Sequence, residues 1–551
     1  MTPPSQDRSA RVAGQMEQLI EAYLAIGSLP LRENLKSFPN VPADVVRRTR
    51  GLDMVPVPTA TVPVDPSGTY APESLPIFTG FDREVQFVGG VNSPKRVKVS
   101  CSDGTRRAQL VKSGGDDLRQ DAVMQQMFGL INALLAADGR CRQRALSVRT
   151  YRVVPLTPRC GLVEWVNNTL VLTDWLVGRS GGAHARYAPP GGLAYIEGVQ
   201  KLRDAQVLEQ QKGLGHLPAA WADVTSRFPP VLRHFFLERF PAPRDWYVAR
   251  LTFTRSTAAA SVAGYLLGLG DRHSSNILVD MSTAEVVHID LGIAFEQGRL
   301  LPTPERVPFR MTRDIVDGMG PQGVEGPLRR CMEATVGVLR ANRDPMLTVI
   351  EVFVHDPLYK WALSPSRARR WQQREEQPDA ADAEEAAAVA PEALQGTADA
   401  ARAILRVRQK LEGQGERWQC GTRVCRCSFD CCCGEGPEHE AAQDRASCVV
   451  RRFWGRGDAG RGGAGAAAAD RGHQPRQPDA HVCGVGGHTL SDAFEHRSSL
   501  RHLWQGYTHL RVSYMHLMCA MGTLSLNGID FLESLAANCC GGLALVTVEP
   551  S

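Results

Sequence analysis

Gly268-Leu269-Gly270-Asp271-Arg272-His273-Ser274-Ser275-Asn276 runs directly into Ile277-Leu278-Val279, and Val286-Val287-His288-Ile289-Asp290-Leu291-Gly292 follows shortly after. Two β-favouring runs flank Met281–Ala284, which predicts a hairpin with its turn centred near residue 283. That register sets Asn276 opposite Asp290, an amide oxygen and a carboxylate about 5 Å apart at the backbone. Two hard oxygen ligands held side by side suit magnesium, whose octahedron is completed by water and substrate phosphates.

Asp271 precedes Asn276 by five residues, the spacing at which a phosphotransfer loop places the carboxylate that accepts a substrate hydroxyl proton. The order here is Asp-Arg-His, so His273 becomes a second candidate beside a transferred phosphate. Taken singly, Asp271 reads as a turn cap, His273 as a core histidine and Asp290 as a strand end. Their joint spacing within one hairpin favours catalysis.

Upstream, Val85–Val88, Arg96–Cys101 and Ala108–Val111 form short β-favouring runs broken by Pro, Gly and the Asp103-Gly104 turn, which predicts a small antiparallel sheet. Lys112 ends the last of these strands, where it can reach nucleotide phosphates. Asp116 or Asp117 caps the following helix, whose face is Val123, Met127, Leu130, Ile131, Leu134 and Leu135. The loop Val88-Gly89-Gly90-Val91-Asn92-Ser93 lies between two strands and could cover phosphates, although it is neither a Walker loop nor G-x-G-x-x-G. Trp165 sits where a sheet lobe and a helical lobe would meet. It offers a face for adenine or simply fills a core.

The chain has 551 residues, with 63 Lys and Arg against 59 Asp and Glu, a balance that demands neither nucleic acid nor an anionic membrane as partner. No apolar run reaches the roughly 18 residues that span a bilayer, and no signal-like start precedes the cysteine-poor body, so a reduced, soluble, intracellular protein is expected. Near the start, Val12, Met16, Leu19, Ile20, Tyr23 and Leu24 recur at helical spacing with no obvious packing partner nearby. After the hairpin, residues 327–363 read as helices, Glu375–Pro391 as an acidic linker or surface helix and Asp399–Leu411 as a last helical stretch.

These blocks, together with Asp116-Asp117-Leu118-Arg119-Gln120-Asp121, Ala294-Phe295-Glu296-Gln297-Gly298 and Pro308-Phe309-Arg310-Met311-Thr312-Arg313-Asp314, resemble the phosphatidylinositol 3-kinase-related protein kinases, most closely the ATM (ataxia telangiectasia mutated) branch. The resemblance implies an α+β, two-lobed PI3/PI4-kinase-like catalytic domain with an antiparallel-sheet N-lobe and a mainly helical C-lobe. It implies ATP and Mg2+ or Mn2+ as cofactors. Lys112 would hold the ATP phosphates with Asp116 as acidic partner, beneath a loop containing Gly89, Gly90 and Ser93; Trp165 and Val166 would form the adenine hinge. Asp271 would orient and deprotonate the substrate hydroxyl, His273 would stabilise the γ-phosphate, and Asn276 and Asp290 would bind the metal.

The implied activity is transfer to Ser or Thr followed by Gln on proteins of the DNA double-strand-break response, in the nucleus and away from membranes. Implied partners are those protein substrates, a DNA-end-binding repair complex reached through an N-terminal region not in this sequence, and a second copy of the chain in a homodimer. Two alternatives stay open. A lipid kinase would place a basic cluster in the activation segment, whereas Arg299, Arg306, Arg310 and Arg313 are spread out; an inactive scaffold would lack the acid and metal ligands.

The expected partition is a helical end of a FAT-like region over 1–50, the N-lobe with hinge over 51–166, the C-lobe over 167–366, an acidic linker and helix over 367–411, and an unmatched tail over 412–551. The short apolar FATC element that ends the family's chains is not found. Cys420, Cys425, Cys427, Cys431, Cys432 and Cys433 lack the paired C-x2-C spacing of a zinc site. The tail is expected to be disordered, or to be translated out of frame or across a retained intron.

Overall fold

The computed structural model describes residues 4–30, 39–61, 75–89, 93–114, 118–178, 181–212, 215–301, 305, 307–354 and 392–413. All of these except Thr61 and Leu75 belong to one compact unit, residues 1–60 and 76–462. Asp116, Gly90, the linker over 375–391 and the tail beyond 413 lie outside the described residues.

The N-lobe is an antiparallel sheet of β1 (Phe78–Phe81), β2 (Gln86–Phe87), β3 (Lys95–Cys101), β4 (Arg106–Ser113), β5 (Val153–Thr157) and β6 (Cys160–Glu164), ordered β1-β3-β4-β6-β5 with β2 also on β3. The Asp103-Gly104 turn joins β3 to β4: Gly104 adopts φ 75°, and the Asp103 carboxylate accepts from the Thr105 N–H at 2.9 Å. β4 runs two residues further than expected at each end, so Lys112 lies inside the strand, paired with Gly161 of β6.

The first helix, α1 (Pro4–Gly27), has its packing partner within the chain. Leu19, Ala22, Tyr23 and Ile26 are fully buried at spacings of three and four and join a core with Val97, Val99, Val111 and Leu162 of the sheet. A second short helix, α2 (Ala43–Arg48), contributes Val45 to the same cluster.

The expected helix after β4 is α3 (Leu118–Ala137), packed on β5 and on the C-lobe helix Arg329–Ala341. It buries Met124 and Phe128 as well as the predicted face apart from half-buried Leu130, because it is covered from both lobes. The C-lobe is built on the helix Pro243–Leu267, whose stretch Ala258–Ala263 is wholly buried; small side chains there let neighbouring elements approach closely. Proline at its first turn and Gly268 in the left-handed conformation (φ 61°) punctuate its ends. Among the described residues no helix is long and apolar enough to cross a membrane.

The expected hairpin forms as β8 (Ile277–Asp280) and β9 (Val286–His288), with β7 (Thr169–Val171) added on the outer edge of β8. Its register corrects the expectation by one residue: Ile277 faces His288 and Leu278 faces Val287, so Asn276 stands opposite Ile289, not Asp290. The cause is local. The Asp280 carboxylate accepts the N–H groups of Ser282 and Thr283 at 2.8 and 3.1 Å, and Ala284 takes φ 61°. These contacts close a four-residue turn, Met281–Ala284, with the Asp280 N–H on the Glu285 carbonyl at 2.9 Å.

Candidate active site

Gly268 ends the long helix and opens the catalytic loop. A Cβ there would lie 2.4 Å from the Glu296 nitrogen, so only glycine lets the segment after β9 run alongside the loop. That segment is tied on by main chain: Gly270 N–H donates to Ile293 O at 2.9 Å, Phe295 N–H to Leu267 O at 2.8 Å and Glu296 N–H to Gly268 O at 3.0 Å.

Asp271 then adopts φ 55°, a left-handed conformation that a residue with a Cβ holds only when its surroundings impose it. The Asn276 amide donates to the Asp271 carbonyl at 2.9 Å and lies 3.4 Å from its carboxylate. Its nitrogen is thus committed to Asp271. His273 Nε2 is 3.8 Å from the Asp271 carboxylate, close enough for electrostatic contact and too far for a hydrogen bond.

Asp290 reaches the site by a route other than cross-strand pairing. Ile289 donates to the Asn276 carbonyl at 3.1 Å, after which the chain turns sharply, with Asp290 at φ 56°. Its carboxylate is 3.7 Å from the Lys112 ammonium, which spans the gap from the upper sheet to the lower lobe. Lys112 thus meets Asp290, whereas its expected partner Asp116 lies outside the described residues.

The expected nucleotide-binding residues divide. Val88 N–H donates to Pro94 O at 2.8 Å, closing the neck of the loop between β2 and β3; Gly89 and Ser93 (φ 41°) stand at that neck, and Gly90 is outside the described residues. Val166 belongs to a third apolar cluster, with Tyr151, Leu278 and Val287 buried and Val163, Val171 and Ile289 partly so. This cluster joins the β5–β6 hairpin to β8–β9 and makes an apolar wall where the lobes meet. Trp165 carries the Arg96 guanidinium 4.4 Å above its ring, so one face of the indole is taken by a cation–π contact.

Three contributors escaped the sequence reading. Arg272, 6% exposed, donates to Gly270 O at 2.7 Å, to Ile289 O at 2.7 Å and to Asp290 O. Burial pulls its pKa down, and the carboxylates of Asp290 and Asp271 oppose that pull. Asp121 of α3 is buried and accepts the Leu291 N–H at 3.0 Å, fixing the chain immediately after Asp290. Leu278 and Ile289 supply apolar wall. The signal for Asp121 was present as a carboxylate on the buried face of a helix, where a charge persists only if paired. Burial, and then Arg272, push the half-covered His288 down to about 3, so it stays neutral at physiological pH.

The donor set fits a divalent ion of the magnesium kind. Among the described residues no group of three or more His, Cys, Asp or Glu is gathered, whereas the Ile289 N–H on the Asn276 carbonyl brings one carboxylate-bearing and one amide-bearing residue to neighbouring backbone positions, and Mg2+ is held by few protein ligands plus phosphates and water. The arrangement can bind a polyphosphate under Lys112, hold a metal between Asn276 and Asp290, and offer Asp271 as a base.

The phosphatidylinositol 3- and 4-kinase family pattern matches residues 108–363. A serine/threonine-protein kinase ATM from Arabidopsis thaliana is 48% identical over 402 residues, 72% of this chain and 10% of that protein. A serine-protein kinase ATM from Sus scrofa is 41% identical over 421 residues, 74% of this chain and 14% of that protein. Among solved structures, the FAT and kinase domain of CtTel1 superposes with a TM-score of 0.60 at 35% identity, covering 80% of this chain and 28% of that one. The chain therefore spans a small part of its curated relatives, 10% to 14% of the two named. On this fold, this site and these homologues, the chain belongs to the phosphatidylinositol 3- and 4-kinase family and carries a kinase domain of the ATM and Tel1 kind.

Proposed function

We propose that this chain contains the catalytic part of an ATP-dependent serine/threonine protein kinase, acting on Ser-Gln and Thr-Gln sites in proteins of the nuclear DNA double-strand-break response. The observation that carries the reading is the single constellation of Lys112 against Asp290 at 3.7 Å and Asn276 against Asp271 at 2.9 Å.

Lys112 binds the α- and β-phosphates, with Asp116 as a further acidic partner, and the Gly89–Ser93 loop, Gly90 included, covers them. Val166 and Trp165 receive adenine. Asn276 and Asp290 would hold Mg2+ or Mn2+, which would supply positive charge to neutralise the phosphates during transfer. Asp271 aligns the substrate hydroxyl and takes its proton as the hydroxyl oxygen bonds to the γ-phosphorus and the bond to the bridging oxygen of ADP breaks. His273 stands beside the transferred group and donates to its oxygens. Assembly as a homodimer fits the same reading, because a neighbour of 35% identity and TM-score 0.61 is a complete CtTel1 dimer with C2 symmetry. Recruitment to a DNA-end-binding repair complex completes it.

The test is phosphotransfer by the purified chain to a Ser-Gln peptide, an Ala-Gln control and a phosphoinositide, alongside Asp290→Ala. Transfer to Ser-Gln alone, abolished by Asp290→Ala, supports the proposal. Lipid phosphorylation without peptide phosphorylation makes the chain a lipid kinase, and no transfer by a folded chain makes it a scaffold.

A further inference from the structure

We infer that Glu305, in the segment after β9, is a positioning residue for phosphoryl transfer, its carboxylate holding the backbone of the catalytic loop at Asp271. The functional half of this inference rests on the kinase reading above. The Asp271 N–H donates to Glu305 Oε1 at 2.9 Å, and the Arg272 N–H reaches the same carboxylate. The second oxygen lies over two glycines: a Cβ on Gly270 would stand 2.7 Å from Oε2, and one on Gly298 would stand 2.1 Å from it. The Glu305 N–H in turn donates to Gly298 O at 3.1 Å.

One carboxylate thus fills a slot that both glycines leave open, and it takes the two consecutive N–H groups that follow the first glycine. Those N–H groups belong to the turn in which Asp271 holds φ 55°. Consecutive backbone N–H groups converging on an anion fix the peptides between them, because each bond is charge-assisted and directional. Burial raises the pKa of Glu305, and the two loop N–H groups oppose that rise, as does the guanidinium of Arg272. Arg310 also faces it.

The consequence is that the segment carrying Glu305 must be in place for Asp271 to be aimed. Among the described residues no other side chain bonds the Asp271 N–H, so Glu305 carries this part of the geometry.

The experiment compares the full chain with Glu305→Ala and Glu305→Gln by two readouts: amide hydrogen exchange over residues 268–276, and kcat and KM for ATP in peptide phosphorylation. Glu305→Ala is expected to speed exchange at Asp271 and Arg272 and lower kcat, each by roughly tenfold, with KM for ATP within about twofold. Glu305→Gln keeps a carbonyl acceptor and restores most of both. Unchanged exchange in Glu305→Ala, a loss confined to KM, or a Gln variant as impaired as the Ala variant would overturn the inference. Should the parent chain transfer no phosphate, the kinase reading fails separately, and faster exchange in the Ala variant reversed in the Gln variant still supports the positioning role.

Discussion

The Lys410 ammonium and the Glu296 carboxylate form an ion pair in which both side chains are only 8% exposed. Lys410 lies on the helix Glu392–Glu412, and its ammonium also donates to Tyr265 O at 2.6 Å and sits 4.7 Å above the Tyr265 ring. Arg299 takes the other Glu296 oxygen at 2.9 Å. This one lysine therefore joins the helix Glu392–Glu412, the end of the core helix and the segment that follows Asp290. Removing one member leaves a buried charge unmatched, so Lys410→Met is expected to cost about 3–5 kcal/mol. Denaturant unfolding should show it, and Lys410→Met with Glu296→Gln should recover part of the loss.

The same pair sets a pH response. Burial pushes the Glu296 carboxyl up, but Lys410 and Arg299 outweigh it and hold it below the ordinary carboxylate range. A depressed folded-state pKa contributes stability that is complete above the unfolded value of about 4.3 and is lost as pH falls through the folded value. Stability measured from neutral pH downward should decline below that point less steeply in Glu296→Gln than in the parent chain.

Asp121 is expected to act on rate through position alone. Asp121→Ala removes the acceptor of the Leu291 N–H and leaves a buried donor unsatisfied, costing about 1–3 kcal/mol. The chain beyond Asp290 then loosens. Steady-state kinetics should show kcat falling by about tenfold while a fluorescent ATP analogue binds within about threefold of the parent affinity.

A fourth expectation concerns α1. The Gly27 carbonyl at its end accepts from the Lys95 ammonium at 2.8 Å and from the Ser113 hydroxyl at 2.6 Å. The Tyr23 hydroxyl donates to Gln109 at 2.5 Å, and Gln109 donates to Thr59 at 2.8 Å. Lys95 and Ser113 bracket the phosphate loop and Lys112, so α1 braces both. Tyr23→Phe, which strands buried Gln109, should destabilise the chain by about 1–3 kcal/mol. Lys95→Met should raise KM for ATP by more than it lowers kcat; an unchanged KM would show that the brace does not reach the nucleotide.

The parts legible in the sequence were those written as periodicity or as contiguous motifs. The face of α3, the strands flanking Asp103-Gly104 and the β8–β9 hairpin all follow from spacing and turn chemistry. The register slipped by one because two apolar runs do not reveal how many residues the turn spends, and here the Asp280 side chain decides that number. Asp121, Glu305 and Lys410 act across 170, 34 and 114 residues of chain. No local pattern announces such partners. The partner of α1 was missed for the related reason that its buried stripe meets a sheet formed by strands far along the chain.

Arg272 grips three carbonyls and no side chain. Its fork therefore works as a ruler between two stretches of main chain, the one bearing Asp271 and the one bearing Asp290. The side chain at position 289 can vary without altering what is measured, while the ruler itself has no substitute: lysine offers a single point of charge and cannot span both stretches at fixed spacing. The spacing between the Asp271 turn and the Asp290 turn is in this sense stored in the shape of one guanidinium.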